Sequence, residues 1–168
     1  QVSLAAQHGF AKDLAAGQFD LAWARARDGP TADAVAAMRE AICAYRRTGA
    51  YLGVPAQLAD LGETLGGAEA PEEGATLIDE ALERAATTGE RWYVAELLRR
   101  RGGLRLRIPG CDARMAEHDC LDGLKAAREQ GALLWALRAA RDLARIWSAR
   151  GDRSRAMDLL APILGRFT

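Results

Sequence analysis

The sequence predicts an all-α protein, a right-handed α-solenoid of stacked antiparallel helix hairpins with a repeat of about 40–42 residues. Three periodic series predict it. The glycines Gly9, Gly49, Gly89 and Gly131 each close a helix-like run, at intervals of 40, 40 and 42 by subtraction of residue numbers. Glycine there takes the left-handed conformation that ends a helix. The second series, Ala34/Met38/Ala41, Gly74/Ile78/Ala81, Ala116/Cys120/Gly123 and Ala156/Leu160/Ile163, repeats offsets of four and three. That spacing puts three residues on one helical face, with small residues where two backbones approach. The third series, Leu21-Ala22, Leu61-Gly62, Gly102-Gly103 and Leu143-Ala144, falls once in each preceding helix. No segment alternates with period two for long enough to be a strand.

Punctuation sets the element bounds. Residues 2–8 read as the tail of an earlier helix. A first hairpin follows at 10–28 and 32–48, broken by Gly29-Pro30, with Thr31 as the N-cap of its second helix. The second runs 50–66 and 71–88; Pro71 followed by Glu72 and Glu73 is a good first turn, because proline has no N–H to lose there and acids favour the dipole. The third, 90–107 and 112–130, breaks at Pro109-Gly110 and is capped by Asp112. The last, 132–150 and 152–165, breaks at Gly151 and is capped by Asp152. The repeats thus run about 10–48, 50–88, 90–130 and 132–166 in one domain spanning 1–168, which starts at Gln1 and reads as a piece of a longer protein. Gly102-Gly103 marks a close-packing site, whereas Gly17 costs ~1 kcal/mol against alanine with no visible reason. Trp147 takes a core position in the last repeat.

Composition excludes several function classes. With 23 basic and 23 acidic residues the formal net charge is +0, so no long-range field favours nucleic acid or an anionic membrane. All cations but Lys12 and Lys125 are arginine, and the abundance of alanine and glycine points to biased coding composition as much as to guanidinium chemistry. Cys43, Cys111 and Cys120 are an odd set without framework spacing, which fits a reducing, cytoplasmic location. No run approaches the ~18 apolar residues of a membrane span.

Reaction chemistry is not visible, so no catalytic, cofactor-binding or metal-binding residue is assigned. Neither lysine follows a glycine as a phosphate-binding loop requires, and Ser3, Ser148 and Ser154 lie in no nucleophile elbow. Cys111, His118 and Cys120 have zinc-compatible donors, but His118 and Cys120 are two apart on a helix and point different ways. Cys120 is expected in the core and His118 on the surface. Glu72-Glu73 and Asp79-Glu80-Glu83 read as solvated helix faces. His8, beside a helix-ending glycine, reads as a helix C-terminal residue favoured by the dipole.

A small pair, an aromatic three residues on, a turn glycine and a small-large-small face together resemble the tetratricopeptide repeat. The longer period here is similar to that in the helical tails of large bacterial regulators, where a signal-transduction ATPase is fused to a class III nucleotidyl cyclase or a DNA-binding activator domain. The segments that carry this likeness are Gly89 to Leu97, Leu137 to Ala140 with Leu143 to Trp147, and Leu159 to Ile163 ending in Phe167-Thr168. The resemblance implies a sensor or scaffold region and no cyclase or ATPase residue in this chain. It also implies that one face of each first helix lines a concave groove.

The expected function is a non-catalytic interaction or sensing module that binds a peptide or a sister domain of its parent chain in that groove. The alternative is a small-molecule effector domain gating a linked cyclase or transcription regulator; an enzyme ranks third. Candidate groove residues are Arg138, Arg141 and Arg145, spaced three and four apart, with Arg100 on the neighbouring first helix, Trp135 as an aromatic wall and Glu63 one helix further back. Adjacent guanidiniums repel unless carboxylates satisfy them, so the expected ligand is acidic. If each arginine is already paired to an acid of its own chain, the groove hypothesis is wrong and the reading as a solvated surface stands. The last helix carries Leu159, Leu160, Ile163, Leu164 and Phe167, more apolar residues than one face buries, and self-association through it is expected.

Overall fold

The structure is a computed structural model and describes residues 2–167. Among them it is all-helical, with α1 (Val2–His8), α2 (Ala11–Ala26), α3 (Ala32–Arg47), α4 (Val54–Gly67), α5 (Pro71–Thr88), α6 (Val94–Arg105), α7 (Ala113–Glu129), α8 (Leu133–Ala149) and α9 (Arg153–Leu164). The order and type of every element match the punctuation read from the sequence. None of these helices is long and apolar enough to cross a membrane.

The expected terminators behave as expected. Gly9, Gly49, Gly89 and Gly131 all adopt positive φ, between 66° and 80°, which reverses the chain at little cost because glycine has no Cβ to clash. Thr31 accepts a hydrogen bond from the Ala34 amide, Asp112 from Arg114 and Asp152 from Arg155, so all three are N-caps. Two helices begin later than expected. α4 starts at Val54 because Gly53, at φ +84°, breaks the run, and α6 starts at Val94 after a single turn in which the Val94 amide donates to Arg91. α6 also stops at Arg105, short of Ile108-Pro109, since a residue before proline is driven out of helical geometry.

The chain divides into two compact units, one ending at Ala81 and the other beginning at Leu82. In the first, α1 packs on α2, α2 on α3 and α4, and α3 on α4. Phe19, Met38, Ile42, Leu58 and Leu61 are buried in it. A Cβ added at Gly62 would lie 2.8 Å from the Gly74 carbonyl, so α4 and the start of α5 touch backbone to backbone.

In the second unit α6 packs on α7 and α8, α7 on α8, and α8 on α9. The core runs from Ala95, Ala116 and Cys120 through Leu124, Ala139 and Leu143 to Trp147, Ala156 and Ile163. Gly102 meets Ala116 as Gly62 meets Gly74, with a Cβ there 2.9 Å from the carbonyl oxygen. Two of the periodic series are therefore the two sides of one recurring helix contact. Gly103 is different: its Cβ would meet nothing within 4 Å, so only the first glycine of the expected pair is a packing site. Gly17 is buried in α2.

Candidate functional site

The second unit is rich in charged side chains that are out of water, which the composition did not foreshadow. Glu96, on α6, has no exposed surface. Its carboxylate accepts from Arg99 Nε and Nη2, both at 2.8 Å, from Arg100 Nε at 3.1 Å, and pairs with Arg138 Nη2 of α8 at 2.9 Å. Arg99 then reaches across to α8, donating from Nη1 to Asp142 at 2.6 Å. Asp142 also holds Arg141 at 2.8 Å and Arg145 at 3.6 Å. On the other side of α6, Arg101 and Arg105 converge at 2.6 Å on Asp119 of α7, itself buried.

Local sequence explains the convergence. Arg99 and Arg100 follow Glu96 by three and four residues, the spacing that brings helical neighbours together. Burial pushes the Glu96 carboxyl up, but hydrogen bonds and charge from Arg99 and Arg100 outweigh this and hold it below the usual carboxylate range. Burial likewise works against the Arg99 charge, and Glu96 with Asp142 more than restores it. A third cluster joins α7 to α8 and α9: Glu117 accepts from Trp147 Nε1 at 2.7 Å and from Arg150, and pairs with Arg155 at 3.8 Å. The Trp147 hydrogen bond, with the charges of Arg150 and Arg155, lowers the Glu117 pKa against a modest burial effect. Arg155 stacks over the Trp147 ring at 3.8 Å.

The candidate residues fall as follows. Arg100 is buried on Glu96, with its guanidinium 5.4 Å from the Tyr93 ring centroid. Arg138 reaches the same carboxylate, and Arg141 and Arg145 share Asp142. Each arginine of the stripe thus has an acid of its own chain, and mutual repulsion no longer argues for an external anion: Arg138 ties α8 to α6, whereas Arg141 and Arg145 bind Asp142 of α8 itself. Trp135 is half-buried and met edge-on by Tyr93 at 4.8 Å and Trp92 at 6.5 Å, so its ring contacts are within the chain. Glu63 belongs to the first unit, where it is exposed and engaged in an interaction of its own. Cys120 is buried in the core while His118 is exposed beside Asp122. Burial, with the nearby carboxylates of Asp142 and Asp119, pushes the Cys120 thiol up to about 12, so it is protonated at neutral pH. The acids Glu96, Asp119 and Asp142 went unremarked in the sequence, although the spacing of Glu96 to Arg99 and Arg100 was a signal for the first.

An open cleft lies between α8 and α9. Its volume is about 470 Å³. Ala144, Ala156, Met157 and Leu160 make an apolar floor, and Arg141, Arg145, Ser148 and Arg153 make the rim. Met157 is 70% exposed. Leu164 and Phe167 lie half-exposed at and beyond the end of the same helix, and Ile163 alone of the five apolar residues expected to overfill it is fully buried.

These features define the class: an all-α protein of consecutive packed helices, with a few buried charged side chains in the second unit paired within and between helices. No protein-family model matches the chain, and no curated protein matches it either.

Proposed function

We propose that this chain is a non-catalytic interaction or sensing module, a tetratricopeptide-like stack of helix hairpins that takes a protein or peptide partner, or a sister domain of its parent chain. The observation that carries the reading is the α8–α9 cleft. It combines an apolar floor, a strongly exposed methionine and a cationic rim, the composition of a groove that receives a helix or peptide. The arginines expected in a concave groove support it less, because Glu96 and Asp142 engage them. The three cysteines are free thiols, which favours a reducing, cytoplasmic setting. The likeness to regulator tails favours a place in a bacterial signalling protein.

A photo-crosslinking residue at position 157, compared with one at exposed Glu83 on α5, tests the reading. Partner adducts formed from position 157 and not from position 83 are expected in cells. Equal labelling from both would overturn it. A second reading, a small-molecule effector domain gating a linked cyclase or transcription regulator, is favoured by the cleft volume, which lies in the ~300–1,000 Å³ range of ligand pockets. Under that reading a metabolite panel raises the melting temperature, and Met157→Glu abolishes the rise.

A further inference from the structure

We infer that the α8–α9 cleft is the seat of an acidic amphipathic helix contributed by a partner polypeptide. This rests on the reading of the cleft as an interaction surface and adds the chemistry of the occupant. The chain supplies its own template. α8 packs on α6 and α7, and the acids there receive it: Glu96 takes Arg138, and Glu117 takes Trp147 Nε1 and Arg150. The occupant brings Arg138, Trp147 and Arg150 to carboxylates of the seat, and one acid of its own, Asp142, to Arg99 of α6.

One repeat later the sign is reversed. By subtraction of residue numbers, Met157 stands 40 after Glu117, and Leu137 stands 41 after Glu96. Both acids have become apolar. The rim of the cleft instead carries Arg141, Arg145 and Arg153. Asp142 is the carboxylate that pairs with the first two, so at the rim one negative charge faces two guanidiniums; Arg99, which it also binds, is held by Glu96 as well. Arg145 keeps 72% of its side chain in water. An incoming helix that places apolar residues over Ala144, Met157 and Leu160 therefore meets positive charge at its margins, and carboxylates there complete the contact. A second copy's α8 is the wrong complement, because it brings Arg138, Arg141 and Arg145 against Asp142 alone.

The test uses the full chain and two synthetic helical peptides of about 16 residues, with the same leucines at i, i+3, i+4 and i+7. One has Glu at the flanking positions, the other Lys. Backbone amide shifts should move for the Glu peptide and map to α8 and α9. Met157→Glu and Arg145→Glu, both at exposed side chains and checked for an unchanged melt, should each weaken binding at least about tenfold. Unchanged affinity in Arg145→Glu overturns the inference. If the Lys peptide takes the cleft instead, the acidic occupant is wrong while the interaction surface stands. Shifts from neither peptide sink both. A dimer in sedimentation that Met157→Glu abolishes identifies a second copy as occupant, which overturns the inference and keeps the surface.

Discussion

Glu96 is the residue on which the second unit turns. It has no access to water, and three guanidiniums from two helices satisfy it. Removing one partner of such a cluster strands the rest, so Glu96→Ala should cost ~3–5 kcal/mol in chemical denaturation. Acid acts in the same direction. Because the folded pKa is depressed, the contribution is complete at neutral pH, begins to fall below the unfolded value of about 4.3, and is lost as pH drops through the folded pKa. Urea titrations at descending pH should show that loss, and Glu96→Gln should flatten it. Trp147 gives a second contrast. Buried, and hydrogen-bonded to Glu117, it should cost ~3–5 kcal/mol when replaced by alanine. Arg150→Ala loses one partly exposed ion pair with the same carboxylate and should cost about 1 kcal/mol or less. Equal melting temperatures for the two variants would contradict the packing described.

At the scale of the helix, small residues decide how closely two axes approach. Gly62 against Gly74, Gly102 against Ala116 and Gly123 against Ala95 are three instances of a missing Cβ facing a backbone carbonyl at 2.8–2.9 Å. The carbonyl belongs to a rigid helix and cannot step aside. Gly102→Ala should therefore destabilise by ~1–3 kcal/mol. Its neighbour gives the opposite sign: Gly103 is helical and faces open space, so Gly103→Ala should stabilise by ~0.5–1 kcal/mol through reduced freedom of the unfolded chain. Midpoints in urea for the two single variants check both signs. Helix type, order and most ends were legible in the sequence because caps, helix-ending glycines and small faces are local signals repeated four times. The late starts of α4 and α6 were not, since they depend on a left-handed Gly53 and on a one-turn bend before Val94.

Across the whole molecule, legibility follows the same division between repeated and unique signals. The core positions Met38, Ile78 and Cys120 recur with the period and are fully buried, as the series required, whereas Leu160, their counterpart in the last repeat, is partly buried and lines the cleft. The acids Glu96 and Asp119 do not recur with the period, and a charge stripe read from spacing alone gives no sign of the acids facing it from other helices. Arg138 was legible as part of a stripe; that Glu96, 42 residues earlier by subtraction, would accept it was not. The α8–α9 cleft escaped the sequence reading for a related reason: apolar excess on the last helix was visible, but its geometry with α8 is tertiary.

The non-repeating acids have a consequence for how the chain finds its pairing. Seams built from small residues at a fixed interval are interchangeable, and a helix hairpin arriving one repeat out of place would meet much the same glycine and alanine surface. Glu96 breaks that degeneracy. A helix other than α8 laid on α6 would leave a carboxylate and two guanidiniums dry and unanswered by Arg138 and Asp142, a penalty expected to disfavour the wrong neighbour. The cluster serves as an address written once in an otherwise repetitive text. Replacing Glu96, Arg99, Arg100, Arg138 and Asp142 together by apolar residues of similar volume should then leave equilibrium stability near its starting value. Refolding by rapid dilution should nonetheless return a mixture of compact helical species, resolved by native electrophoresis, where the parent chain returns one.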